Sequence, residues 1–188
     1  MHQKAIQRIA EEVCNKAGDR FLGKILQLSP VSFALDVGLR GVFLFISAEP
    51  SSPRFYLIQR RMKELEKQSI PLSNFGQQLR HQLGTGRIVG CGKDRAERIV
   101  RLTLRVEDDF GRVHFRRLVA QLTGRAANLF ILDELDRVVA ALPFLRRTRT
   151  RLRPSRLRRR RCWPALRRAS PVGLRRPPPL AERPSGMT

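Results

Sequence analysis

The chain has 188 residues, 38 Lys and Arg against 16 Asp and Glu, and 41% hydrophobic residues, enough for one domain with a real core. No stretch approaches about 18 consecutive apolar residues, which excludes a membrane-spanning helix. The charge is uneven: residues 1–144 hold 23 cations and 15 anions, whereas residues 145–188 hold 15 arginines and one glutamate, so a mildly basic domain (1–144) is followed by a tail of different character.

Taken in order, Ile6, Ile9, Ala10 and Val13 recur three and four apart, which predicts an amphipathic helix from about Gln3 to Lys16, ended by Ala17-Gly18. Phe21 to Leu28 reads as a strand. Val31, Phe33, Leu35 and Val37 alternate with Ser32, Ala34 and Asp36 in a second, and Gly38 to Gly41 forms a tight return. Val42 to Ile46 is apolar on both faces and so central, completing an antiparallel meander. After the proline loop Ala48 to Pro53, Phe55-Tyr56-Leu57 reads as a brief edge pairing and Arg60 to Gln68 as a short, exposed helical turn. Phe75, Leu79 and Leu83 mark one face of a second helix, with Ser73 as its N-cap and Gly84 placed to close it in the left-handed conformation. Arg87-Ile88-Val89 restarts as a strand. The alternation from Val100 to Val106 is the clearest strand signal, with Arg101, Thr103 and Arg105 pointing away from the apolar side. A turn from Glu107 to Arg112 leads to a strand from Val113 to Leu122, a basic turn Thr123-Gly124-Arg125, and strands Asn128 to Leu132 and Val138 to Leu142. Phe43, Phe45, Phe115 and Phe130 alternate within strands and are assigned to the core. About eight strands and two solid helices, without βα alternation, give an α+β class with antiparallel sheet.

The chemistry-bearing residues are few. Cys14, Cys91 and Cys162 form no CxxC pair, and His2, His81 and His114 are scattered, so neither a metal site nor a cofactor is expected, and no catalytic residues. Residues 1–20 contain Glu11, Glu12 and Asp19 and no apolar run of an export signal, so the expected location is cytoplasmic. The stretch that stands out is Lys93-Asp94-Arg95-Ala96-Glu97-Arg98, three cations and two anions held between two strands. Arg95 and Arg98 can fork onto phosphates or stack on bases, and a neighbouring carboxylate can orient a guanidinium or accept from a ribose hydroxyl. A solvated turn with internal ion pairs is the plain alternative. For Arg125, phosphate contact and a simple turn are equally compatible with the sequence.

Several phrases in order resemble the N-terminal domain of the NFACT family, whose members carry the label fibronectin-binding protein A and include RqcH-like factors of bacterial ribosome-associated quality control. They are Gly23-Lys24-Ile25, Ser47-Ala48-Glu49-Pro50-Ser51-Ser52-Pro53-Arg54, Leu79-Arg80 with Leu83 and Gly86-Arg87-Ile88, and Gly124-Arg125 with Asn128 and Asp133. The resemblance covers about residues 5 to 142. It implies a β-sandwich-like sheet flanked by helices, similar to the N-terminal domain of formamidopyrimidine-type DNA glycosylases. It implies as partners tRNA and the large ribosomal subunit carrying a stalled peptidyl-tRNA, with C-terminal tailing of the nascent chain, and neither a membrane nor a small-molecule substrate. The family's Asp-Arg pair for tRNA falls here by identity on Asp94-Arg95 and by spacing on Glu97-Arg98. With Arg125 these make the expected tRNA-binding set. Where the family has an acidic residue near the start of its first helix, this chain has His2 and Gln3.

Full-length family members continue into helical and coiled-coil regions. From Leu145 this chain instead mixes Arg, Pro, Leu and Ala, with seven prolines in 44 residues, a composition that predicts disorder. It is also that of GC-rich DNA read out of frame, so a frameshift or truncated fragment is expected. The alternative is a generic basic RNA-binding protein acting through its Arg-rich tail.

Overall fold

In a computed structural model, residues 3–108 and 110–143 are described, and all belong to one unit, Met1–Arg147. The tail expectations fall outside the described residues. Helix α1 (Gln3–Ala17) leads into a four-stranded antiparallel meander, β1 (Ile25–Ser29), β2 (Ser32–Leu39), β3 (Val42–Ser47) and β4 (Arg54–Gln59), in that order. Helices α2 (Met62–Gln68) and α3 (Asn74–Leu83) follow. A five-stranded antiparallel sheet completes the fold: β5 (Arg87–Lys93), β6 (Ile99–Glu107), β7 (Val113–Gln121), β8 (Asn128–Leu132) and β9 (Val138–Ala141), again in chain order, with a 3₁₀ turn, Gly124–Ala126, between β7 and β8. The α+β class with antiparallel sheets and flanking helices is as the sequence predicts, with nine strands and three α-helices among the described residues.

One core serves both sheets. Ile6, Ala10, Val13 and Ala17 of α1 share a cluster with Phe33, Leu35, Leu44 and Ile46 of the first sheet and Ile88, Leu102, Leu104 and Leu118 of the second. From α3, Phe75, Leu79 and Leu83 enter the same cluster, and the Phe75 ring meets Phe33 edge-on at 5.7 Å. The alternation in β6 is realised: Val100, Leu102 and Leu104 are fully buried, whereas Arg105 is exposed. The Ser73 hydroxyl caps α3 by accepting from the Gly76 amide at 3.3 Å. Gln27, buried in β1, accepts the Ser73 amide at 2.7 Å and so ties that cap to the first sheet.

Several expectations change. Phe21 to Lys24 is not a regular strand: Phe21 is exposed and makes only an isolated bridge to Arg87, and the ladder starts at Ile25. The expected edge pairing at Phe55 is a full six-residue strand, in register from Arg54↔Ser47 to Gln59↔Val42. The turn at Arg60 to Gln68 is helix α2, and it is not wholly exposed, because Leu65 closes a second small cluster with Leu26, Ala34 and Phe43. Gly84 closes α3 in the right-handed conformation (φ −61°), not the left-handed one. Glycine is still needed there, since a Cβ would stand 2.3 Å from the Arg80 carbonyl oxygen. Of the four phenylalanines assigned to the core, Phe43 is buried, but Phe45 and Phe130 are only half-buried and Phe115 is exposed. Phe115 pairs with Arg105 on the face of β6 and β7 opposite Leu102 and Leu104, so its alternation is real but it belongs to the outer side.

Because Phe33 joins the first sheet to α3, Phe33→Ala should cost about 3–5 kcal/mol in denaturant unfolding, the range for truncating a fully buried aromatic.

Candidate functional site

The loop between β5 and β6 is built by its own charges. Lys93 ends β5 and pairs with Val100, and the Asp94 amide donates to the Ile99 carbonyl at 3.0 Å, which closes the loop at its base. The Arg101 guanidinium then reaches back to grip both oxygens of Asp94, Nε to Oδ1 at 3.0 Å and Nη2 to Oδ2 at 2.9 Å. Both side chains are about two-thirds covered or more (23% and 34% exposed), so this two-point bond is worth more than a solvated surface pair. Asp94 in turn raises the basicity of Arg101, chiefly by that hydrogen bond. The Lys93 ammonium adds a bond to the Asp94 carbonyl at 2.6 Å.

Beyond that clamp, Arg95, Ala96, Glu97 and Arg98 are exposed. Their backbone is held from outside the loop where the Arg98 carbonyl accepts the Leu122 amide at 2.7 Å and the Ala96 carbonyl accepts the Gln3 side-chain amide at 3.3 Å. It is held within the loop where the Arg95 carbonyl accepts from the Lys93 ammonium and the Glu97 amide donates to the Asp94 carbonyl, each at 3.4 Å. Since Ile99 pairs with Gln121, the register of β6 on β7 sets the 3₁₀ turn with exposed Arg125 beside the loop. An open hollow at this end of the sheet is lined by Gln3, Ala96, Glu97, Arg98 and Thr123. The five expected site residues therefore gather at one end of the second sheet, but in unequal states. Asp94 is engaged by Arg101, whereas Arg95, Glu97, Arg98 and Arg125 have no ion-pair partner among the described residues.

Sequence reading missed Arg101, Gln3 and Thr123. Arg101 sits at an outward position of a clean alternation, where a cation is unremarkable, and only the fold-back of the loop brings it to a residue seven positions earlier.

With this geometry in place, comparison with known proteins gives a match over residues 4–161 to the family described as NFACT N-terminal and middle domains. The chain belongs to the NFACT family. Its fold is similar to the N-terminal domain of the fibronectin-binding protein PavA from Streptococcus pneumoniae, with a TM-score of 0.67 at 20% identity over 78% of this chain and 55% of that one. It is also similar to the fibrinogen-binding protein from Staphylococcus aureus (TM-score 0.61, 17% identity, 73% and 48% covered). The N-terminal part of the fibronectin/fibrinogen-binding protein from Streptococcus suis gives a TM-score of 0.61 at 18% identity, with 72% and 50% covered. At these identities the likeness is one of fold, and this NFACT chain spans about half the length of those structures. No curated protein sequence matches it.

The two thiols of the described residues, Cys14 and Cys91, are not among the residues that line this hollow. Cys91 lies in the core on β5 and Cys14 is partly covered on α1, both free. Burial, with a smaller contribution from Cys14, pushes the Cys91 thiol from 9.0 up to about 12, so at neutral pH it is protonated and unreactive. No helix of the described residues is long and apolar enough to cross a membrane, and no group of three or more potential metal ligands is gathered among them.

Loss of the clamp should loosen the loop without melting the sheet. Asp94→Ala should cost about 1–2 kcal/mol, a figure reduced for partial exposure, and amide hydrogen exchange at residues 95–98 should accelerate while that of β6 is unchanged. The Cys91 proton is held more tightly in the folded chain than in the unfolded one, so its contribution is complete below pH 9 and is lost as pH rises from 9 towards 12. Unfolding free energies measured across that window should fall by up to about 1.4 kcal/mol per pH unit relative to Cys91→Ala.

Proposed function

We propose that this chain is a tRNA- and large-ribosomal-subunit-binding factor of ribosome-associated quality control, or an N-terminal part of one, acting as a binding module and not as an enzyme. The observation that carries the reading is the clamped loop: Asp94 and Arg101 fix its base, leaving Arg95 and Arg98 exposed beside Arg125. Three guanidiniums on a hydrogen-bonded loop and a 3₁₀ turn suit the phosphates of a folded RNA, because the cost of ordering their backbone is met on folding and not on binding. Family membership supports the same reading.

Of the two acid-arginine pairs, Glu97-Arg98 is the better placed. Both oxygens of Asp94 accept from Arg101, whereas Glu97 is exposed and lines the hollow with Arg98 and Thr123. In this assignment Arg98 contacts phosphate or a splayed base, Glu97 accepts from a ribose hydroxyl, and Arg95 and Arg125 contribute neighbouring phosphate contacts. Asp94 acts on RNA only through the loop it holds.

The test is binding of the full chain to tRNA and to an unstructured RNA of equal length across a salt series, with Arg95→Ala, Arg98→Ala and Arg125→Ala. The expected result is a preference for tRNA that Arg98→Ala reduces by about 1–3 kcal/mol, while Arg95→Ala and Arg125→Ala each lower the salt slope by about one. Equal affinity for both RNAs, unchanged by all three substitutions, would overturn the reading in favour of sequence-blind binding through the Arg-rich residues 145–188.

A further inference from the structure

A second basic group lies at the other end of α1, on the first sheet. The β2–β3 turn presents Arg40, and the strand pairing that ends at Val42↔Gln59 brings the following Arg60 and Arg61 beside it, with the Arg60 amide donating to the Gly41 carbonyl at 2.9 Å. Gly41 has φ +72°, a conformation that suits glycine and lets the return be tight enough for that bond. The result is an open cleft walled by Arg40, Gly41, Arg60, Arg61 and Glu64. All three guanidiniums are exposed, and among the described residues none is in an ion pair or a side-chain hydrogen bond. The partly covered arginines Arg87, Arg101 and Arg117 are matched by Asp19, Asp94 and Asp136, whereas these three, like those of the β5–β6 loop, stand unmatched among the described residues. In the cleft the acid is a single Glu64 against three cations, so the local charge is positive.

Helix α1 fixes how this cleft stands to the loop. Its first residue, Gln3, touches Ala96 in the β5–β6 loop. Just past its last turn, Arg20 donates to the Gly38 carbonyl at 3.2 Å, at the root of the turn that carries Arg40. Fifteen helical residues span about 22 Å, so the two basic groups are separated by on the order of 20 Å along one rigid element.

We propose that the Arg40–Arg60–Arg61 cleft is a second phosphate-binding site, contacting the backbone of the same folded RNA that the β5–β6 loop engages. The proposal rests on the RNA-binding reading and adds to it a footprint about as long as α1. The contacts proposed are to phosphate, since the cleft offers three guanidiniums and no aromatic side chain in its lining. Glu64 tempers the site and keeps non-specific anions weak.

The experiment titrates full-chain protein with tRNA over a salt series, comparing wild type, the cleft variant R40A/R60A/R61A, Glu64→Gln, and the loop variant R95A/R98A. All substituted side chains are exposed, and circular dichroism checks that the fold is kept. The cleft variant should lower the slope of log affinity against log salt by about two to three, at about 0.7–0.9 per phosphate released, and Glu64→Gln should tighten binding. If the cleft variant keeps the wild-type slope while the loop variant loses tRNA preference, the cleft proposal is wrong and the RNA-binding reading stands. If neither variant changes binding, both fail. Poly-glutamate is titrated in parallel, and a cleft variant that loses poly-glutamate binding while keeping the wild-type tRNA slope assigns the cleft to an acidic polypeptide and overturns the proposal as well.

Discussion

Four residues of α1, Ile6, Ala10, Val13 and Ala17, each no more than 1% exposed, are packed against strands of two different sheets. The sheets have little else to hold them in place. Each is a chain-order meander whose ladder is complete within itself, and the segment between α1 and β1 is tied to the start of β5 by the isolated bridge Phe21↔Arg87 and its neighbours, Asp19 to Ile88 and Leu22 to Gly86. Burying one helical stripe against both apolar faces turns two half-wet meanders into one core, and α3 completes it through Phe75, Leu79 and Leu83. The exposed cations of the β5–β6 loop and of the Arg40–Arg60–Arg61 cleft inherit their positions from that arrangement.

From it follows the placement of charge. A helix that must lie along β5 to bury its stripe has one end at the β5–β6 loop and the other at the β2–β3 turn. Loops and turns at those ends are free to vary in sequence without disturbing the core, and two groups of unmatched arginines stand there. One charge of the β5–β6 loop, Asp94, is bound by Arg101 of β6, so that the others can be presented without collapsing onto it. A loop of three cations and two anions without such a clamp would form shifting internal pairs of little worth.

Much of this was legible in the sequence. The period-2 run from Val100 to Val106 located β6, the three-and-four spacing located α1 and α3, and Ser73 announced the start of α3, because each signal depends only on residues close in the chain. What escaped was what depends on contact between distant segments. Leu65 sits in a charged stretch and gives no local sign that Leu26, Ala34 and Phe43 wait to cover it. Phe115 alternates as a core residue should, but alternation alone does not say which face of a sheet is covered. The site divides in the same way. Its exposed members, Arg95, Glu97, Arg98 and Arg125, were visible as residues. The bond that Asp94 makes to Arg101 was not, since it requires the loop to fold back on β6.

Whether Asp94 and Arg101 act as a structural clamp that presents Glu97 and Arg98 is tested most directly by a charge swap. The tRNA preference of D94R/R101D is measured beside that of Asp94→Arg and Arg101→Asp alone. A clamp works in either polarity, so the double variant should recover most of the preference that the single variants lose. If the double variant is no better than the singles, Asp94 itself meets the RNA, and its bond to Arg101 is not what presents the loop.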